Sequence, residues 1–137
     1  MPTVYRTMKR AEDGLPVVGS NSKELGVRVP PTPHADVDVD SAGLVVVNGK
    51  GMSVSEHWRY MLPHLIPKRL IPNSDDATGS NSLTCYKMGE GPFGAAVLNA
   101  DLEVIVKPHA PHGALIAPGR SVSVEDFQRA LAATRSQ

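Results

Sequence analysis

The sequence has a single cysteine, no excess of either charge and no long hydrophobic run. Because Cys85 is the only cysteine, an internal disulfide framework and a cysteine-based zinc site are excluded. We expect Cys85 to be a small buried side chain. With 14 basic and 14 acidic residues the formal net charge is zero, which disfavours a nucleic-acid coat or a polybasic membrane binder. No apolar run approaches the roughly 20 residues of a membrane helix, and no signal-peptide pattern opens the chain. We therefore expect a soluble protein made in the cytoplasm, with no Sec signal and no membrane partner.

Glycine and proline are abundant, with 12 of each among 137 residues. A chain of this length can bury a real core, and we predict one domain over residues 1–137. Frequent turns disfavour long helices and favour short strands with irregular connections. The hydrophobic pattern predicts strands at 3–9, 44–47, 102–107 and 114–117. We expect the second of these strands to be buried on both faces, and residues 108–112 to form a tight irregular connection.

Two helices have recognisable start signals. Ser55 is predicted to cap a short helix, kept short by two prolines, with an apolar face made of Trp58, Met61, Leu62 and Leu65. Ser123 is predicted to cap a C-terminal helix with an inner face made of Phe127, Ala130, Leu131 and Thr134. The polar segment 73–82 is predicted to be a mobile loop. These elements together predict a strand-dominated α+β domain closed by a helix.

Histidine is the residue most easily recruited as acid, base or ligand near neutral pH, and the chain has five. We expect His34 and His57 to be surface residues and His64 to be half-buried and structural. His109 lies between Pro108 and Pro111, and His112 directly follows Pro111. Proline restricts the backbone, so holding this loop rigid costs little conformational entropy, which suits a functional site. The alternative is that both are solvated loop histidines. No third ligand accompanies the pair, so we expect no metal site there.

Two polar segments could also carry chemistry. Asp36, Asp38 and Asp40 alternate with valine, a pattern more typical of a charged edge strand than of a cation site. In the segment 49–55, two glycines allow a ligand to approach the backbone, and Ser53 and Ser55 offer hydroxyl groups. A phosphate-binding Walker sequence is absent. On its own this segment is more typical of a hairpin turn followed by a helix cap.

An ordered series of short motifs runs along almost the whole chain. Its members are Tyr5-Arg6, Gly51-Met52-Ser53-Val54, His112 followed by Leu115-Ile116-Ala117-Pro118, Asp126-Phe127, the helix 129–135, and blocks at 58–67 and 87–93. The series resembles the small bacterial toxins of the ADP-ribosyltransferase superfamily, which are injected by type VI secretion or kept beside an antitoxin. That resemblance implies an α+β fold of two small packed β-sheets with short helices around a cleft for NAD, which the superfamily binds without a Rossmann fingerprint.

The resemblance also implies roles for individual residues. Arg6 would face the dinucleotide phosphates or ribose, and His109 is assigned with it to NAD binding. Ser53 would brace the nicotinamide ribose pocket, and His112 would match a histidine near the third motif of these toxins. The glutamate usual in that third motif has no clear counterpart. Glu125 or Glu103 could serve, or the histidines could replace it, and we take Ser53, His112 and Glu125 as the candidate catalytic residues.

The implied activity is cleavage of the nicotinamide–ribose bond of NAD and transfer of ADP-ribose to an intracellular target. Hydrolysis to free ADP-ribose is the same chemistry with water as the acceptor. The implied partners are an immunity or antitoxin protein, a macromolecular target and the secretion machinery. One alternative is an RNA-cleaving toxin that uses His109 and His112 as acid and base, although RNA substrates favour a basic cleft. The other alternative is a non-catalytic interaction module.

Overall fold

An antiparallel sheet of six strands forms the centre of the structure, a computed structural model that describes residues 1–136. The strands are β1 (Val4–Lys9), β2 (Met52–Ser55), β3 (Leu83–Met88), β4 (Ala96–Val97), β5 (Leu102–Lys107) and β6 (Ala110–Pro118). Their order across the sheet is β3-β1-β2-β6-β5-β4. The helical elements of the described residues are one α-helix, α1 (Val124–Ala132), and three single 3-10 turns, Trp58–Tyr60, Pro63–Leu65 and Lys68–Leu70. Within residues 1–136, no helix has the length and hydrophobicity needed to cross a bilayer.

The junction between β1 and β2 is the weakest in the sheet. The two strands are joined at one pair, Tyr5 opposite Ser55. By contrast, β1 pairs with β3 along its whole length, and β2 pairs with β6 at every residue. The two packed sheets expected from the resemblance are therefore not separate, because this one pair connects all six strands into a single sheet. The fold is a small mixed α/β fold with one antiparallel sheet and few helices.

One apolar core joins the sheet, the helix and the irregular segments. Val4 and Met8 lie on one face of β1, with Arg6 between them, as the alternation of the sequence predicts. Phe127 and Leu131 of α1 are fully buried in the same core. The helix begins as predicted, because the Ser123 hydroxyl accepts a hydrogen bond of 3.1 Å from the Asp126 backbone N–H. Segments outside the strands also contribute fully buried side chains, namely Leu25, Val27, Val37 and Val45.

The predicted strand at 44–47 does not form. Its backbone makes two isolated bridges, Val39 with Val45 and Leu44 with Ser123, and the Val47 side chain is 48% exposed rather than buried. The reason lies in Asp40, whose carboxylate accepts hydrogen bonds from the N–H groups of Ala42 and Leu44. An Asp side chain that bonds to nearby backbone in this way folds the segment into a turn.

The predicted helix after Ser55 is also wrong. Ser55 ends β2, and the segment that follows is divided into the three 3-10 turns. Leu62 and Ile66 each precede a proline and each has extended backbone, with ψ of 146° and 116°. Proline disfavours helical backbone at the residue before it and cannot donate a helical hydrogen bond, so Pro63 and Pro67 divide the segment.

The connection between β5 and β6 is shorter than predicted. Because β6 begins at Ala110, only Pro108 and His109 remain between the strands, and the register shifts between Val106 and Lys107. Irregular pairing of this kind at the end of a ladder is typical of a β-bulge.

The strand β3 was not predicted from the sequence. Its residue Cys85 is half-buried, and burial raises the pKa of the Cys85 thiol.

Candidate functional site

A cleft of about 480 Å³ lies against β1, β2 and the start of β6, beneath the first two 3-10 turns. This volume is within the range of small-molecule sites. The lining comes from β1, β2, the segment 60–65, the β5–β6 hairpin and one loop serine: Tyr5, Arg6, Thr7, Ser22, Ser53, Val54, Ser55, Tyr60, Met61, Leu62, Leu65, Lys107, Ala110, Pro111, His112 and Gly113. The cleft thus brings together Arg6, Ser53 and His112, which are far apart in the sequence.

Arg6 is almost entirely buried, with 8% of its surface exposed. Its guanidinium donates hydrogen bonds to the backbone carbonyls of Ser53 at 2.7 Å, Ser22 at 3.0 Å and Glu24 at 3.1 Å. Burial lowers the pKa of Arg6 to about 10, partly opposed by the charge of Asp36. The side chain therefore keeps its positive charge at neutral pH. Its hydrogen bonds join β1 to β2 and to the loop at 22–24, on the wall of the cleft.

Ser53 carries an exposed hydroxyl group in the cleft. Met52 and Val54 on either side of it point into the core, so the alternation of β2 turns the Ser53 side chain to the opposite face. Among residues 1–136, the Ser53 hydroxyl has no hydrogen-bond partner, whereas the Ser55 hydroxyl donates to the His57 carbonyl at 2.9 Å. Gly51 allows β2 to start here, because a Cβ at that position would collide with the Ile116 carbonyl of β6.

His112 is held from three directions. Its ring stacks on the Tyr60 ring, with centroids 3.7 Å apart and planes 2° from parallel. Its Nδ1 lies 3.3 Å from the Glu56 carboxylate, and its backbone carbonyl accepts a 2.7 Å hydrogen bond from the Glu56 N–H. Sequence reasoning missed Glu56. The signal that could have found it is the register of β2 and β6, which pairs Ser55 with Gly113 and so brings the next residue of each strand together.

The outer wall of the cleft is anchored to the sheet. The Thr7 hydroxyl of β1 donates a 2.6 Å hydrogen bond to the Leu65 carbonyl, which fixes the end of the segment 60–65. Met61, Leu62 and Leu65 make this wall apolar. Tyr60 and Leu62 remain 54% and 62% exposed at the rim.

Other predicted site residues lie outside the cleft lining. His109 is exposed in the turn after β5, and Glu125 is exposed in the first turn of α1. Glu103 lies on β5, where it pairs with Ala117 of β6. Acidic residues are favoured in the first turn of a helix by the helix dipole, which accounts for Glu125 in structural terms. The cleft therefore contains neither of the two glutamates that the sequence suggested.

The remaining histidines have local roles or none. His57 caps the first 3-10 turn through Nδ1, which accepts from the Arg59 N–H at 3.2 Å, and its ring lies 4.9 Å from that of Tyr5. It is half-buried rather than a surface residue. His64 is exposed rather than half-buried, and His34 is exposed as predicted.

The acidic run 36–40 forms a loop instead of an edge strand. Asp36 pairs with Arg28 at 2.9 Å, and Asp38 pairs with Lys50 at 3.0 Å. The hydrogen bonds from Lys50 and Asn48 hold the pKa of Asp38 below its usual value. In the part of the chain that the structure describes, no three His, Cys, Asp or Glu residues are arranged to hold a metal ion.

No family model matches the chain, and no curated protein is significantly similar to it in sequence. The function must therefore be argued from the cleft and from the motifs that line it.

Proposed function

We propose that this protein is an NAD-consuming toxin of the ADP-ribosyltransferase type, acting in the cytoplasm of the cell it poisons. The observation that carries the proposal is the convergence of Arg6, Ser53 and His112 on one cleft. These three residues come from separate motifs of the series that resembles the superfamily. Their meeting in one cleft is what a common ligand requires.

The lining suits the two chemical parts of a dinucleotide. Met61, Leu62 and Leu65 offer apolar surface to a planar ring, and Arg6 and Lys107 offer positive charge to the diphosphate. Because the Arg6 guanidinium already donates to three carbonyls, it contributes mainly charge and rigidity. The Lys107 ammonium, a mobile point charge, is then the residue best suited to approach phosphate oxygens.

The junction between β1 and β2 supports the same proposal. Strands that share only the Tyr5–Ser55 pair leave room between them, and the cleft lies at this junction. We propose that this opening is the counterpart of the cleft between the two small sheets of an ADP-ribosyltransferase-like fold. The hydrogen bond from Arg6 to the Ser53 carbonyl crosses the opening and limits its width.

The reaction needs little covalent work from the protein. The bond between the ribose C1′ and the nicotinamide nitrogen breaks, its electrons stay with nicotinamide, and positive charge develops on the ribose. The ribose carbon then bonds to a nucleophile of the target or, when no target is present, to water, so the protein must orient NAD and stabilise that charge. In this proposal the Ser53 hydroxyl binds the nicotinamide ribose and His112 lies beside the reacting carbon. A cognate immunity protein would protect the producing cell.

The RNA-cleaving alternative is less well supported. It needs His109 and His112 within reach of one substrate, and only His112 lines the cleft. The non-catalytic alternative gives no reason for an exposed serine hydroxyl and a stacked histidine to share a cleft with buried positive charge.

Release of nicotinamide from NAD by the purified protein tests the proposal directly. We expect release by the parent protein and a loss of at least tenfold in Ser53→Ala, which removes one oxygen and almost no volume. Ser41→Ala, at an exposed serine in the turn at 40–44, is the matched control and should retain parental activity. Degradation of added RNA without nicotinamide release would favour the nuclease, and neither activity would favour the interaction module.

A further inference from the structure

Glu56 and His112 form the last rung of the β2–β6 ladder. The register pairs Val54 with Ala114 and Ser55 with Gly113, and the Glu56 N–H continues it with a 2.7 Å hydrogen bond to the His112 carbonyl. Side chains directly opposite each other in an antiparallel ladder lie on the same face and interact. The backbone therefore fixes the approach of the Glu56 carboxylate to the His112 ring, and the 3.3 Å contact to Nδ1 follows from it.

The two ring nitrogens of His112 have different surroundings. Nδ1 faces Glu56, which is outside the cleft lining, whereas His112 itself contributes to that lining. Within residues 1–136, Nε2 has no hydrogen-bond partner. A carboxylate accepts a hydrogen bond and cannot donate one, so a neutral His112 beside it carries its proton on Nδ1. Nε2 is then left with a free lone pair, which can accept a proton.

The stack on the Tyr60 ring restricts rotation of the His112 imidazole. A nearly parallel contact at 3.7 Å between centroids prevents the His112 ring from turning about its Cβ–Cγ bond without displacing Tyr60. The hydrogen bond to Glu56 thus sets the tautomer, and the stack sets the plane. A contact of 3.3 Å is at the long end of the hydrogen-bond range, as is common for catalytic pairs before substrate binds.

We infer that Glu56 is a positioning residue that orients His112 as a general base in the proposed NAD cleavage. As the C1′–nicotinamide bond breaks and its electron pair leaves with nicotinamide, a water molecule bonds to C1′ and gives its proton to Nε2. The resulting imidazolium is stabilised by the Glu56 carboxylate. The inference rests on the proposed function, and it replaces the third-motif glutamate with a carboxylate acting through an imidazole.

The tautomer of His112 can be measured whether or not the protein cleaves NAD. Long-range ¹H–¹⁵N correlation spectra of the labelled protein, recorded where the ring is neutral, should show the proton of His112 on Nδ1. In Glu56→Ala we expect the proton to shift toward Nε2, the site preferred by a neutral histidine side chain in water. Glu12→Ala removes an exposed carboxylate of the same charge and should leave the His112 signals unchanged.

Nicotinamide release supplies the second measurement. We expect His112→Ala to lower kcat by about 10²–10⁴-fold and Glu56→Ala by about 10- to 100-fold, with KM for NAD little changed. The double variant should be no slower than His112→Ala, because Glu56 acts only through that ring. An unchanged tautomer in folded Glu56→Ala, or losses that multiply in the double variant, would overturn the inference. A parent protein that releases no nicotinamide would overturn the proposed function, while the spectra would still decide whether Glu56 orients His112.

Discussion

The Arg6 guanidinium donates a 2.7 Å hydrogen bond to the carbonyl oxygen of Ser53, so two candidate site residues are bonded directly to each other. This bond crosses from β1 to β2, two strands that share only the Tyr5–Ser55 backbone pair. A buried side chain here replaces the ladder that the strands do not form. Arg6 therefore holds Ser53 in the cleft, in addition to supplying charge to it.

Arg6→Lys should lower the free energy of unfolding by about 2–4 kcal/mol. A single ammonium cannot reach the carbonyls of Ser53, Ser22 and Glu24 together, and each partly buried carbonyl left unpaired costs about 1–3 kcal/mol. Urea denaturation measures the change. Arg10→Lys, at an exposed arginine just after β1, should stay within about 0.5 kcal/mol of the parent. Equal stability of the two variants would show that the three carbonyls do not depend on the guanidinium fork.

The C-terminal helix gives a second prediction about stability. Ser123→Ala should cost about 1 kcal/mol, because the Asp126 N–H loses its cap. Phe127→Ala should cost about 3–5 kcal/mol, because the ring is fully buried in the core. Ser121→Ala, at an exposed serine just before the helix, is the control. Parental denaturation midpoints for Ser123→Ala and Phe127→Ala would contradict the docking of α1.

What the sequence could predict is local. The sequence predicts β1, β5 and the Ser123-capped helix because the signal for each lies within about ten consecutive residues. For the strands that signal is alternation, and for the helix it is a cap followed by an apolar face. The strand expected at 44–47 does not form, because the Asp40 carboxylate accepts a hydrogen bond from the Leu44 N–H. Composition alone does not show that bond. The meeting of Glu56 with His112 depends on the register of two strands distant in sequence, and register cannot be derived from either strand alone.

Acid should weaken the contact between α1 and the loop after β1. Arg135, just beyond α1, donates hydrogen bonds to both carboxylate oxygens of Asp13, and these bonds, with one from the Leu15 N–H, hold the pKa of Asp13 below its usual value. A carboxylate whose pKa is lower in the folded state stabilises the fold above its unfolded pKa, near 4, and loses that effect as pH falls through the folded value. The difference in unfolding free energy between the parent and Asp13→Asn should therefore be constant from pH 5 to 7 and shrink below about pH 4. A difference independent of pH would contradict the pair.

His109 and His112 separate the NAD proposal from the RNA-cleaving alternative. An acid–base pair of histidines loses its activity when either imidazole is removed, so a nuclease should be disabled by His109→Ala and His112→Ala alike. In the NAD proposal only His112 lines the cleft, and it is fixed there by Tyr60 and Glu56. We therefore expect His112→Ala to lower nicotinamide release at least 100-fold and His109→Ala, in the exposed hairpin turn, to lower it less than threefold. Expression in a bacterial cytoplasm gives a parallel readout, since His109→Ala should still stop growth and His112→Ala should not. Loss of growth arrest in both variants, with soluble protein in each case, would favour the paired-histidine nuclease over the NAD cleft.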